Sequence, residues 1–240
     1  MAITILSGHP GRKAQQGRIP RPEMVLVDLD GTLVDSVPDL AYCIDTLLPR
    51  LDLPMRGEVA MRLWVGNGVE RLLHRALTAD LDGTANPTLY ATALPLFMEL
   101  YAANTSIRSR VYEGVREGLD ELVTLGLPLA CVTNKSARFT IPLLRNLGLA
   151  NYFRLVVAGD TLPQQKPDPE PLLYASRHFR VSPNRCLMVG DSINDVMAAR
   201  AARFSIACVS YGYNHGLDIH TADPDAVIDS LAELIQIIRE

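Results

Sequence analysis

A short apolar run near the start of the chain ends in a cluster of acidic and small polar residues. The run is Met24–Val27, and Asp28 and Asp30 follow it. Two carboxylates two residues apart on an extended chain can point into one crevice, where a divalent cation that prefers oxygen ligands relieves their repulsion. Gly31, which precedes Thr32, allows the backbone to turn sharply. The segment therefore predicts a buried strand that leads into a polar, metal-binding loop.

Three later segments place reactive side chains beside apolar runs or at the start of a helical pattern. Thr133 and Asn134 follow one apolar run, Asp191 ends another, and Lys166 is followed by a proline. Asp195 lies four residues after Asp191, one turn along the same face of a helix. Each segment also has a plain structural interpretation: a turn with a helix cap for Thr133, a surface lysine for Lys166, and a helix cap for Asp191.

The spacing of apolar residues predicts alternating strands and helices over most of the chain. The predicted strands are 24–27, 129–132, 156–158, 186–189, 205–209 and 226–228. The predicted helices are 37–48, 56–65, 69–77, 87–103, 114–125, a pattern that ends at 147, 170–179, 193–202 and 231–238. We expect Ser36 to cap the first helix, and Pro142 to start or bend the helix that ends at 147.

Strands that alternate with helices pair in parallel through right-handed crossovers. The predicted fold class is therefore α/β, a doubly wound, Rossmann-like parallel sheet covered on both faces. In such sheets ligands bind at the carboxyl ends of the strands. Asp28, Thr133 and Asp191 each stand where a predicted strand ends, so we expect them to share one crevice.

The chain divides into three predicted regions. Residues 37–109 carry helical patterns without a strong strand and predict a small all-helical cap domain inserted into an α/β core domain of residues 23–36 and 110–240. Residues 1–22 contain basic, proline and glycine residues and predict a flexible N-terminal tail.

Composition excludes several classes of protein. The 240 residues carry 23 basic and 27 acidic side chains, a net charge of −4, so we expect no nucleic-acid partner. No apolar run reaches the roughly eighteen residues of a membrane span, and no basic leader precedes the first apolar residues, so we expect no membrane association and a cytoplasmic location. The four cysteines stand singly in apolar stretches, which predicts reduced core thiols.

The four polar segments resemble, in order, the motifs of the haloacid dehalogenase-like phosphatase superfamily. The first, residues 28–32, matches the pattern D-x-D-G-T completely, and the last, residues 190–195, matches G-D-[ST]-x-x-D. Residues 28–41, 64–69 and 211–214 resemble the phosphoglycolate phosphatase family in particular. So do residues 111–115, although Glu113 stands where that family often has proline. The resemblance extends from about residue 24 to the last residue.

The resemblance implies roles for individual residues. Asp28 is the expected nucleophile, and Asp30 the expected acid that protonates the leaving oxygen and then activates water. Thr133 donates to a phosphoryl oxygen, and Lys166 keeps the nucleophile ionised and neutralises the transferred group. The expected Mg²⁺ ligands are Asp28, the backbone carbonyl of Asp30, Asp191, and Asp195 directly or through water. A cap that closes over the crevice is also implied, with hinges near 35–38 and 107–112.

We expect the substrate to bind at the predicted helix start at 66–69, whose backbone N–H groups suit a carboxylate. Arg71 and Arg75 add positive charge if they face the crevice, or belong to a solvated helix surface. The full set expected to bind the substrate is Thr32, Asn134, Gly66, Asn67, Gly68 and Arg71.

The implied function is Mg²⁺-dependent hydrolysis of 2-phosphoglycolate, a small phosphorylated metabolite, to glycolate and phosphate by a monomer or homodimer. One alternative is a phosphatase or mutase for another small phosphorylated sugar or sugar acid. A 2-haloacid dehalogenase is disfavoured because that pattern lacks the second acid, which is Asp30 here. A non-catalytic interaction protein is disfavoured because all four motifs are present.

Overall fold

The computed structural model describes residues 19–239. The strands are β1 (Ile19–Pro20), β2 (Met24–Val27), β3 (Val34–Asp35), β4 (Arg110–Val111), β5 (Leu129–Val132), β6 (Leu155–Val157), β7 (Cys186–Gly190), β8 (Ser205–Val209), β9 (Ala226–Ile228) and β10 (Ile238–Arg239). The α-helices are α1 (Val37–Leu47), α2 (Gly57–Trp64), α3 (Gly68–Thr78), α4 (Pro87–Asn104), α5 (Val115–Thr124), α6 (Ala137–Asn146), α7 (Glu170–Phe179), α8 (Ile193–Ala202) and α9 (Leu234–Ile237).

Six parallel strands form the main sheet, in the order β6-β5-β2-β7-β8-β9. From β2 the chain builds outward to β5 and β6, then returns to β7 on the other side of β2 and continues to β8 and β9. The order therefore reverses around β2, which is where doubly wound sheets bind ligands. The predicted α/β fold class is confirmed.

Strand β2 is buried on both faces, as its continuous apolar sequence predicts. Val25 and Val27 pack in the core cluster that contains Leu119 of α5, whereas Met24 and Leu26 pack in the cluster on the opposite face with α7 and α8. All four side chains are 0% exposed, and each contributes about 1.5–3 kcal/mol through burial. Polar groups are therefore confined to the end of the strand, where the sheet opens.

The segment between β3 and β4 forms a helical layer over this end of the sheet. Helices α1 to α4 share one apolar cluster, in which Trp64, Phe97 and Tyr101 pack with Phe139 of α6 and with Tyr213. Phe139 and Tyr213 belong to the part of the chain that contains the main sheet. This cluster therefore also joins the helical layer to that part of the molecule.

Strands β3 and β4 are an antiparallel pair at the two crossings into and out of the helical layer. The sequence analysis did not predict this pair, because two-residue strands are too short to show periodicity. The second crossing is held by Asp39 of α1, which is 0% exposed. Its carboxylate accepts hydrogen bonds from the backbone N–H groups of Arg108 and Ser109, both at 2.8 Å.

Both ends of the described chain differ from the prediction. Ile19 and Pro20 pair in parallel with Ile238 and Arg239, and Ile19 is 1% exposed. The tail predicted for 1–22 is therefore wrong for its last residues, since an isolated isoleucine gives no sign of a distant strand partner. The rest of that prediction concerns residues 1–18, which lie outside the described residues. The helix predicted for 231–238 is a 3₁₀ turn, the short α9 and the start of β10.

Two local predictions are also corrected. Ser36 precedes α1 but makes no capping hydrogen bond; its hydroxyl donates to the Asp30 carboxylate instead. Pro142 does not start the helix, because α6 begins five residues earlier and continues past it; the alternative, that Pro142 bends this helix, stays a prediction. The four cysteines are buried and unpaired, as predicted. Within 19–239, no helix combines the length and the apolar character that a bilayer crossing requires.

Candidate active site

A cleft lies between the carboxyl ends of β2, β5 and β7 and the helical layer above them. Side chains and backbone from both layers line it. The lining residues are Asp28, Asp30, Leu40, Val65, Gly66, Gly68, Val69, Leu72, Thr133, Asn134, Lys135, Lys166, Asp191, Ser192, Asn194 and Tyr213.

The Lys166 ammonium occupies the centre of the polar wall. Its Nζ lies 2.9 Å from Asp28 Oδ1 and 2.7 Å from Asp195 Oδ1, and donates to the Val132 carbonyl at 2.8 Å. Burial by itself lowers the pKa of Lys166, but the two carboxylates outweigh burial and raise that pKa above its ordinary value. Lys166 is therefore a permanent cation at neutral pH.

Asn134 holds the Lys166 segment against the end of β5. The Asn134 amide donates to the Lys166 carbonyl at 2.8 Å and accepts from the Lys166 backbone N–H at 3.0 Å. Because both partners are backbone groups of the same residue, this pair of bonds fixes the lysine relative to the neighbouring strand end.

Three carboxylates, those of Asp28, Asp191 and Asp195, each place an oxygen within 4.8 Å of the others. Burial raises the pKa of Asp28 to about 7; Lys166 acts against this rise and Asp195 adds to it. Burial, followed by the charges of Asp195 and Asp28, also holds the pKa of Asp191 well above its ordinary value. A buried set of oxygen donors that repel one another fits a hard divalent cation such as Mg²⁺.

Two hydrogen bonds and the close approach of two glycines hold the Asp191 side chain in place. Thr32 Oγ1 donates to Asp191 Oδ1 at 2.8 Å, and the backbone N–H of Tyr213 donates to Asp191 Oδ2 at 2.7 Å. Gly31 and Gly212 approach so closely that an added Cβ would lie 2.3 Å from Asp191 Oδ2 and 2.1 Å from Asp191 Cβ, respectively. Thr32, expected to bind substrate, is fully buried and orients this carboxylate instead.

Both carboxylate oxygens of Asp195 already have partners. Oδ2 accepts from the backbone N–H groups of Asp191 and Ser192, at 3.2 and 3.1 Å, and from the Ser192 hydroxyl at 2.8 Å. These contacts form a capping box at the start of α8, while Oδ1 binds Lys166. Lys166 precedes Asp195 by 29 residues, so the spacing of residues along α8 could not show this ion pair.

Lys135 belongs to the site, and the sequence analysis missed it. Its Nζ lies 3.0 Å from both oxygens of Asp30, and 5.0 Å from the centre of the Tyr101 ring. Lys135 is 4% exposed, and its pKa, which burial alone would lower, is raised by Asp30 and Tyr101. A lysine directly after a strand end was visible in the sequence, but its burial was not.

The loop between α2 and α3 forms the roof of the cleft. The Gly66 carbonyl accepts from the side-chain amides of Asn134, at 3.2 Å, and Asn194, at 3.4 Å. Arg71 points away and donates at 2.8 Å to the carbonyls of Leu81 and Gly83. The expected role of Arg71 in substrate binding is therefore not supported by its position, because helical spacing alone did not show which face of α3 meets the cleft.

The structure brings most of the expected residues together. Those that line the cleft are Asp28, Asp30, Gly66, Gly68, Thr133, Asn134, Lys166 and Asp191. Those that lie behind the lining or away from it are Thr32, Asn67, Arg71 and Asp195.

Comparison with known protein families identifies the family to which this chain belongs. The sequence model of one family, described as haloacid dehalogenase-like hydrolase, matches residues 22–203. This chain belongs to the haloacid dehalogenase-like hydrolases. The predicted superfamily is thereby confirmed.

Curated relatives narrow the assignment within the haloacid dehalogenase-like hydrolases. A phosphoglycolate phosphatase of Nitrosococcus oceani is 56% identical over 222 residues, which cover 92% of this chain and 99% of the relative. Another from Thiobacillus denitrificans is 46% identical over 209 residues, covering 87% and 92%. The crystal structure of a predicted phosphoglycolate phosphatase from Haemophilus somnus 129PT superposes with a TM-score of 0.85 at 34% identity, covering 90% and 97%. This hydrolase is thus a phosphoric monoester hydrolase of the phosphoglycolate phosphatase family, as predicted.

Proposed function

We propose that this phosphatase hydrolyses 2-phosphoglycolate to glycolate and phosphate, with Mg²⁺, through an aspartyl-phosphate on Asp28. The observation that carries the proposal is the buried Asp28 carboxylate, 2.9 Å from the Lys166 ammonium and within 4.8 Å of two further carboxylates. The names of the curated relatives support the choice of substrate.

In the first step an oxygen of Asp28 attacks phosphorus, and the bond from phosphorus to the glycolate oxygen breaks. Asp30 protonates the departing oxygen. In the second step Asp30 takes a proton from water, which attacks phosphorus and releases inorganic phosphate from Asp28. Both carboxylates line the cleft, and Lys135 fixes the orientation of Asp30.

Lys166 and Thr133 stabilise the group in transfer. The ammonium of Lys166, held between Asp28 and Asp195, offers positive charge to the phosphoryl oxygens without needing to reorganise. Thr133 lines the same wall and accepts the backbone N–H of Lys135 at 3.2 Å. This hydrogen bond leaves the Thr133 hydroxyl proton available to a phosphoryl oxygen.

The residues that would hold Mg²⁺ are Asp28, the backbone carbonyl of Asp30, and Asp191, with Asp195 acting through water because its oxygens are already engaged. When bound, the cation neutralises charge between an anionic attacker and an anionic ester. The chain prepares the site by fixing Asp191 through Thr32 and Tyr213.

The helical layer closes the cleft opposite the strand ends. Leu40, Val65, Val69 and Leu72 give it an apolar lining, and the backbone N–H groups at the start of α3 are the proposed contacts for the substrate carboxylate. We further propose that residues 37–109 act as a cap domain on a core of 23–36 and 110–240, since α1 to α4 share their own apolar cluster.

The test is phosphate release from a panel of esters: 2-phosphoglycolate, 3-phosphoglycerate, a sugar monophosphate and a sugar bisphosphate, each with MgCl₂ or with EDTA. We expect kcat/KM to be highest for 2-phosphoglycolate and turnover to stop in EDTA. A higher kcat/KM for another ester would reassign the substrate. Isomerised sugar phosphate with little free phosphate would indicate a mutase. Absence of phosphate release from every ester would reject phosphatase chemistry.

Monomer or homodimer, and a cytoplasmic location, stay predictions from the sequence. Sedimentation of the purified protein would distinguish the two assembly states.

A further inference from the structure

Arg75 of α3 is a buried cation that the proposed chemistry does not use. It is 6% exposed, and every hydrogen bond of its guanidinium in residues 19–239 goes to a neutral oxygen. The nearby acid Asp82 attracts Arg75 only from a distance: its ion pair is with Arg71, at 3.9 Å, and its side chain is 96% exposed. Because a buried charge without a counter-ion is costly, the position of Arg75 calls for a functional reason.

The hydrogen bonds of Arg75 hold both ends of the roof loop, which we define as residues 65–67. The guanidinium donates to the carbonyl of Trp64, the last residue of α2, and at 2.9 Å to the side-chain oxygen of Asn67, just before α3. A third bond, at 2.8 Å, reaches the Leu81 carbonyl. The roof loop is therefore fixed from behind by one side chain.

The front of the roof loop is fixed by the opposite layer. Asn134 and Asn194 both donate to the Gly66 carbonyl. Between these two attachments, Val65 and Gly66 line the cleft. The shape of the roof thus depends on Arg75 on one side and on two asparagines on the other.

The charges of the two walls differ. The wall at the strand ends carries Asp28, Lys166 and Asp191, which suit a phosphoryl group and a cation. The side chains lining the roof are apolar and carry no charge. A second negative group on the substrate, directed at the roof, would therefore meet backbone N–H groups with the unbalanced charge of Arg75 behind them.

We propose that Arg75 is a specificity-determining positioning residue that shapes the roof loop and makes the cleft select phosphate esters carrying a second negative group. This inference rests on the proposed function and deepens it, since 2-phosphoglycolate is such an ester. Arg75 does not line the cleft. It acts by holding the roof loop in place and through the positive charge of its guanidinium. Arg71, four residues earlier on the same helix, provides a matched control because it binds Leu81 and Gly83 away from the roof loop.

The test compares 2-phosphoglycolate with ethyl phosphate, in which a methyl group replaces the carboxylate. Asn67→Asp is the informative variant, because it places a carboxylate where the amide oxygen now lies 2.9 Å from Arg75 and so neutralises the charge while preserving the contact. We expect KM for 2-phosphoglycolate to rise on the order of tenfold, with a much smaller change for ethyl phosphate. Arg75→Met should produce the same selective rise, and Arg71→Met should not.

The possible outcomes separate this inference from the proposed function. A wild-type enzyme with equal KM for both esters would overturn the proposed substrate, and the inference with it. If the wild type prefers 2-phosphoglycolate but Asn67→Asp retains that preference undiminished, only the inference about Arg75 fails. An equal rise in KM for both esters would likewise overturn it, by reducing Arg75 to a purely structural role. Asn67→Asp keeps the test valid should Arg75→Met fail to fold.

Discussion

At the scale of single residues, the cleft pairs each reactive carboxylate with one lysine. Lys166 lies beside Asp28, and Lys135 lies beside Asp30. Both lysines are almost fully buried, so neither side chain can move into solvent without breaking its ion pair. The proposed nucleophile and the proposed acid are thus held by separate cations, and the two can be tested independently.

Asp28→Asn should abolish turnover while leaving the fold intact, because an amide oxygen is a poor nucleophile of nearly the same shape. We expect phosphate release to fall on the order of 10⁴-fold or more, with an unchanged circular dichroism spectrum. The unfolding midpoint should not fall, since burial already disfavours the ionised form of Asp28. Steady turnover by this variant would remove Asp28 from the role of nucleophile.

Lys135→Met should destabilise the protein by about 2 kcal/mol, because it leaves the partly buried Asp30 carboxylate without its cation. Methionine fills a similar volume, so the effect reports charge more than packing. The matched experiment is a double-mutant cycle with Asp30→Asn, followed by urea unfolding. The double variant should recover part of the loss, with a coupling of about 1 kcal/mol or more; strictly additive losses would contradict the ion pair.

At the scale of elements, three strand ends and two glycine turns build the wall that carries the proposed metal ligands. β2, β5 and β7 are neighbours in the sheet, so the residues that follow them necessarily meet at one edge. Gly31 has φ of +88° in the turn after β2 and packs directly on Asp191, which follows β7. The turn after one strand thereby sets the position of a carboxylate after another.

Gly31→Ala should weaken Mg²⁺ binding and turnover, since its Cβ would fall 2.3 Å from Asp191 Oδ2. Gly126→Ala is the control: Gly126 has a similar φ of +75° and no atom within 4 Å of an added Cβ. Both variants should lose about 1–2 kcal/mol of stability from backbone strain, but only Gly31→Ala should need more Mg²⁺ for half-maximal activity. An equal Mg²⁺ requirement in the two variants would show that Asp191 adjusts without loss.

At the scale of the whole molecule, the helical layer and the sheet enclose three carboxylates, those of Asp28, Asp191 and Asp195. The single positive charge of Lys166 does not balance them fully. Burial, together with mutual repulsion, raises the pKa of both Asp28 and Asp191. Keeping these carboxylates together therefore lowers the stability of the metal-free protein at neutral pH. Binding of a cation would recover it, so we expect stability, pH and Mg²⁺ to be linked.

The metal-free protein should become less stable as the pH rises. Asp28 binds its proton more tightly in the folded protein, with a pKa of about 7, than in the unfolded chain, with a pKa of 3.8. The stabilisation that this tighter proton binding contributes is therefore complete below pH 3.8 and is lost as the pH rises through about 7. Because a cation replaces the proton, the rise in Tm on adding MgCl₂ in place of EDTA should be larger at pH 8 than at pH 5.

Asp191→Asn provides the control for this linkage, and thermal unfolding at both pH values is the measurement. The variant should lose most of the Mg²⁺-dependent rise in Tm at pH 8, since it lacks one proposed ligand. An equal rise at both pH values in the wild type would mean that cation and proton do not compete for the same carboxylates.

The sequence by itself determined the fold class and the order of the reactive segments. Apolar runs of strand length and helical spacing are local properties, and burial of both faces of β2 follows directly from its four apolar residues. Asp28, Thr133 and Asp191 became candidates because they stand where these runs end, whereas the roles of Asp30 and Lys166 were implied by the family resemblance. Most helix bounds were also predicted within two residues, because caps and glycines act locally.

Only the tertiary structure decided which side chain each of these residues meets. Thr32 reaches Asp191 across 159 residues, and Lys135 reaches Asp30 across 105. Arg71 and Arg75 lie one turn apart on α3, yet only Arg75 is buried behind the roof loop. Such pairings depend on how helices pack on the sheet, a long-range property that the spacing of residues along one element does not contain.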